Sequence, residues 1–103
     1  MGKGKIAAQV GHASVQAFLN AGVTHPPEVE AWLASGQKKI CVKVQDETVF
    51  NELMVLASKR GVAHHLVRDA GHTQIPSGSP TVLSLGPAEE STLDELTGHL
   101  KLL

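Results

Sequence analysis

The period at which apolar residues recur switches along this chain from that of a helix to that of a strand and back, and few folds accommodate that alternation. Ile6, Val10, Ala13 and Ala17 fall at three- and four-residue steps, and Ala7, Val15 and Phe18 widen the stripe. That is the spacing of one buried helical face. Gly22 is expected to stop this helix. Pro26 and Pro27 open a second one, with Glu28 and Glu30 in the first turn, where the helix dipole favours acids. Trp32 and Leu33 are its expected anchors and Gly36 its end. In residues 39–44, Ile40, Val42 and Val44 alternate with Lys39, Cys41 and Lys43, which predicts a strand with one drier face. Asp46 is placed to cap a third helix bearing Val49, Phe50, Leu53, Leu56 and Ala57, closed by Gly61. Residues 64–68 and 81–85, enriched in Val and Leu, read as strands around a loop rich in Gly, Ser and Pro. Leu93 and Leu96 mark a last short helix.

Strands interleaved with helices predict an α/β protein: a three-layer α/β/α sandwich with a small mixed sheet, forming one domain over residues 1–103. The strand–helix–strand run over 39–68 predicts a right-handed parallel crossover. The last two strands, with no helix between them, suit an antiparallel pair.

Composition narrows the functional classes. Aromatic residues are 3% of the chain, so the core must be aliphatic and stacking platforms for exposed bases are scarce. A formal net charge of −1 provides no overall basic field, although Lys3 with Lys5, Lys38 with Lys39, and Lys59 with Arg60 form small clusters. Cys41 is the only cysteine, which excludes an internal disulfide framework; lying in an apolar run, it is expected to be a buried, inert thiol. No run approaches the roughly 18–20 apolar residues of a membrane helix, and no signal peptide is expected.

Two segments carry candidate chemistry. Gly2-Lys3-Gly4-Lys5 leads into the first helix, where free amide hydrogens and a lysine could hold an anion, or where a basic terminus could simply fray. Arg68-Asp69-Ala70-Gly71-His72-Thr73-Gln74 sets an acid, an imidazole, a hydroxyl and an amide just after an apolar strand. Asp69 could deprotonate a water there and Thr73 position it, or both could bond only to loop amides. The six histidines lack a metal-binding pattern: His64 and His65 are adjacent in a strand and face opposite ways, and no HExxH occurs. No metal site is expected. A Gly-x-Ser-x-Gly elbow is missing too, which leaves direct attack by water as the simplest hydrolytic route.

The chain resembles the archaeal and eukaryotic type of peptidyl-tRNA hydrolase through five segments in order. MGKGKIAAQVGHA, from Met1 to Ala13, is similar to the MxxGKxAAQxxHA signature of that family. Trp32 followed by GQKKICVKV from Gly36 to Val44 resembles its W…GQxKVVVKV stretch. RDAGHTQI from Arg68 to Ile75 resembles its RDAGxTQI loop, TVLSLGP from Thr81 to Pro87 a strand ending in Gly-Pro, and LTGHLKL from Leu96 to Leu102 its closing segment. The resemblance implies hydrolysis of the ester of peptidyl-tRNA without a cofactor. It implies catalytic roles for Lys5, Asp69 and Thr73, with Gln9 and His12 in support. Lys3, Lys38, Lys39 and Lys43 are the expected tRNA-backbone contacts. The alternative on the same scaffold is a non-catalytic tRNA- or protein-binding module. Family members carry a hydrophobic strand before the first signature, so a sheet lacking that strand is expected here, with an open edge that favours a homodimer. The expected location is the cytoplasm, with a mitochondrial association if the source is eukaryotic.

Overall fold

The computed structural model describes residues 1–69 and 78–103. Helix α1 spans Lys3–Thr24, α2 Pro26–Ala34 and α3 Thr48–Lys59; strand β1 is His64–Arg68, β2 is Pro80–Leu85, and helix α4 is Glu90–Thr97. The strands pair antiparallel, His64 opposite Leu85 and Val67 opposite Val82, with an irregularity between Val67 and Arg68.

Facing residues in an antiparallel ladder share a side of the sheet, so His65, Val67, Val82 and Ser84 form one face and His64, Leu66, Leu83 and Leu85 the other. Helix α1 covers the first face: Asn20 Nδ2 lies 3.3 Å from His65 Nδ1, and Val67 is buried. Ala13 and Ala21, both buried, are two turns apart on α1, and their small side chains let the helix lie close to the strands. On the second face Leu85 packs with Ala88 and Leu93 against a cluster of Ala57 from α3, Val62 and Leu96 from α4. Helices thus lie on both sides of the sheet, as expected of an α/β fold. Gly86, at φ 98°, turns the chain out of β2; a Cβ there would stand 3.1 Å from the Ala88 amide nitrogen.

The sheet itself differs from the mixed one expected. Residues 39–44 form no strand; Val42 makes a lone antiparallel bridge to Leu102. The expected parallel crossover over 39–68 is therefore not formed, and β1 and β2 make a two-stranded antiparallel sheet. The period-two pattern governs burial only in part: Val42 and Val44 are half-buried and Lys43 is exposed, but Ile40, expected on the drier face, is 62% exposed, since it lies before the one bridge this segment makes. Cys41 shares the phase of Lys43 and is exposed, contrary to the buried thiol expected. Gly22 does not end α1, which continues to Thr24. An interior glycine costs only about 1 kcal/mol, and burial of Ala21 beside it holds the helix on. Asp46 lies one residue before the N-cap position, Glu47, yet its Oδ1 accepts hydrogen bonds from the Thr48 amide (2.9 Å) and hydroxyl. It fulfils the capping task from one position upstream.

Candidate active site

Lys5 lies in the first turn of α1, and Asp69 is the residue that follows β1. Sixty-four positions separate them in sequence, yet Lys5 Nζ donates to Asp69 Oδ2 in a part-buried ion pair. The α1-on-sheet packing makes this contact: α1 crosses both strands and presents its N-terminal turn where β1 ends.

Asp69 is fixed by its backbone. Its amide donates to Ser79 O (2.8 Å) and its carbonyl accepts from the Gly78 amide (2.9 Å), which carries strand-like pairing one step beyond β1. Arg68 Nη1 donates to Gly78 O at 2.8 Å and clasps the same return segment. The Asp69 side chain is 2% exposed and that of Lys5 19%. Asp69 is the buried charged residue among the described residues, so the pair opens to solvent on the lysine side. A carboxylate removed from water is expensive unless a cation and hydrogen-bond donors compensate it, and Lys5 supplies the cation.

The other expected site residues distribute unevenly. Gln9 and His12 follow Lys5 at four and seven positions, so all three share one helical face. Gln9 is half-buried and His12 exposed, and neither bonds to the ion pair among the described residues. Thr73 and the neighbouring His72 lie outside the described residues. Lys3 is exposed at the same helix end as Lys5. Lys38 and Lys39 belong to another region: Lys38 Nζ is 3.5 Å from Glu90 Oε1, whereas Lys39 Nζ sits 5.2 Å from the Trp32 ring centre and donates to Gln37 O at 2.7 Å. Lys43 lies on the bridge to the C-terminal segment. The Arg68 side-chain clasp on Gly78 O could not be read from the sequence, because the motif that contains Arg68 does not name its partner.

Among the described residues no three His, Cys, Asp or Glu side chains converge as a metal site would require, and no helix is long and apolar enough to cross a membrane. A shallow apolar groove lined by Val15, Phe18, Trp32 and Leu33, with Lys39 at its rim, lies between α1 and α2.

The fold and site together define a small α/β protein with a lysine–carboxylate pair assembled at the end of a sheet strand. Comparison with known sequences gives that class its family: the profile of the peptidyl-tRNA hydrolase PTH2 family matches residues 1–103, and the chain belongs to that family. It is 46% identical over its whole length to a peptidyl-tRNA hydrolase of Methanocaldococcus jannaschii, of which it covers 90%. A protein of the same name from Methanopyrus kandleri is 48% identical, with 88% of its length covered. The human protein named peptidyl-tRNA hydrolase 2, mitochondrial, is 44% identical over 102 residues, 57% of its length.

Proposed function

We propose that this protein hydrolyses the ester linking a peptide to tRNA, and that Lys5, Asp69 and Thr73 carry the reaction. The observation that supports the residue roles is the Lys5–Asp69 pair, brought together at a strand terminus from positions 64 residues apart in sequence. Asp69 accepts a proton from water as the water oxygen bonds to the ester carbonyl carbon. The Lys5 ammonium stabilises the negative oxygen that develops on that carbon. Thr73, four residues after Asp69, orients the water. The carbon–oxygen bond to the tRNA ribose then breaks, and the ribose oxygen leaves as a hydroxyl with the proton held by Asp69. Gln9, one turn beyond Lys5, and His12 support the site from the same helical face. Lys3, Lys38, Lys39 and Lys43 contact the tRNA backbone.

In the same reading the protein works in the cytoplasm, where stranded peptidyl-tRNA arises, and forms a homodimer. The exposed Val15, Leu19 and Val23 on α1 support the dimer. The deciding experiment is peptide release from purified N-blocked peptidyl-tRNA, at substrate in large excess over protein. Multiple turnovers that deacylated tRNA competes away are expected. Tight tRNA binding without release of peptide would replace the hydrolase with the non-catalytic binding module.

A further inference from the structure

The lone bridge between Val42 and Leu102 creates a juxtaposition that stability alone does not account for. Lys43 N–H donates to Lys101 O at 2.9 Å, and Leu103 N–H donates to Cys41 O at 3.1 Å, one step on either side of the bridge. In this antiparallel register Lys43 stands directly opposite Lys101. Facing residues project from the same side of a ladder, and both lysines are exposed. Like charges directly opposite one another destabilise a strand pair. Here they sit on a ladder two hydrogen bonds long, with a half-buried Val42 and an exposed Leu102 as its apolar pair. Neither lysine has a carboxylate partner among the described residues, where the ion pairs are Lys5–Asp69, Lys38–Glu90 and Arg60–Glu95.

Two exposed lysines whose backbones face each other across the bridge, neither ion-paired among the described residues, suit an anion with closely spaced negative charges. We infer that Lys43 and Lys101 form a two-lysine clamp on the phosphate backbone of the tRNA, with Lys101 the member that no sequence motif assigned. The clamp rests on the tRNA-directed function proposed above, and it deepens that function by naming a backbone-binding site. The ammoniums straddle neighbouring phosphates and displace condensed counterions, so their contribution belongs to affinity and salt dependence rather than to the chemical step. Phosphate binding also removes the repulsion between the lysines, so the bridge between residues 39–44 and the C-terminal segment tightens when tRNA is bound.

The test measures deacylated-tRNA affinity against salt for the wild type, Lys43→Gln, Lys101→Gln, the double variant, and Lys59→Gln as a control on α3. Each clamp substitution is expected to weaken binding about eightfold at 0.1 M salt and to lower the slope of log affinity against log salt by about 1. The double variant should lose both contributions, and Lys59→Gln neither. Thermal midpoints without tRNA provide the second readout: with the repulsion gone, the clamp variants should melt no lower than wild type. Wild-type affinity and slope in the double variant, with tRNA binding by the wild type intact, would overturn the clamp and leave the hydrolase standing. Failure of the wild type to bind tRNA at all would remove both. Weaker binding accompanied by an equal fall in thermal midpoint would reduce the lysines to a structural role and overturn the clamp as well.

Discussion

Replacing Lys5 by Met keeps most of the side-chain volume and deletes its charge. It leaves the Asp69 carboxylate, 2% exposed, without this cation. Removing one partner of a fully buried ion pair costs about 3–5 kcal/mol. Lys5 is 19% exposed, so water can reach the vacated position in part, and the lower end, about 3 kcal/mol, is expected. For a chain of 103 residues that is a fall in Tm of roughly 12–24 °C. Asp69→Asn should cost less, about 1 kcal/mol, because the amide oxygen still accepts from Lys5 and the ammonium left behind can turn to solvent. Turnover responds differently. If Lys5 and Asp69 act on one reacting centre, each substitution should lower kcat by roughly two to three orders of magnitude, and the double variant should be no worse than the poorer single. Single-turnover peptide release, read beside thermal denaturation of the same samples, separates the two effects. Near-wild-type turnover by folded Lys5→Met would refute the catalytic reading. Losses that simply multiply in the double variant would show that the two residues act separately. A larger Tm loss for Asp69→Asn than for Lys5→Met would contradict the burial argument.

Three further outcomes follow from the geometry. Leu96→Ala removes a side chain 3% exposed in the α3–α4 cluster, and should destabilise by about 2–5 kcal/mol in urea unfolding without altering kcat of the folded protein. The Asp46 carboxyl is held below its ordinary value of 3.8, first by the Thr48 hydroxyl and then by the Thr48 amide. Its folded pKa is depressed, so its contribution to stability is present above 3.8 and lost as pH falls through the lower folded value. The Tm gap between wild type and Asp46→Ala should therefore close under acid, and a gap that persists unchanged refutes the linkage. Cys41 is exposed, so the native protein should react with one equivalent of a thiol reagent without denaturant.

The periodicity of α1 was legible because it records a buried face, and Ala13 falls on that face in the structure. The run past Gly22 was not, since the packing of Ala21 against the rest of the protein lies outside any local window. In residues 39–44 the alternation divided half-buried Val42 and Val44 from exposed Lys43, but it failed at Ile40, which is exposed. A strand also needs a neighbour, and alternation says nothing about whether one is there. The same alternation placed Cys41 with the lysines; the apolar run around it suggested burial, and the period prevailed. For the site, the residue types at 5 and 69 were visible as chemistry, but their meeting was implied by the family signature rather than by spacing. The Lys43–Lys101 juxtaposition was invisible because it depends on the register of a single bridge.

On the reading that Lys5 and Asp69 carry the reaction, the distance between them in sequence makes catalytic competence a late event in the life of the molecule. A contact closing a loop of 64 residues pays its entropy cost before it gives anything back, and long-range contacts of this kind slow folding. A ribosome-bound chain that has not yet exposed β1 carries the lysine without its carboxylate. On that reading peptide release would be a sensor of complete assembly: a nick, or an unfolded first turn of α1, would silence the protein while most of its helices persist.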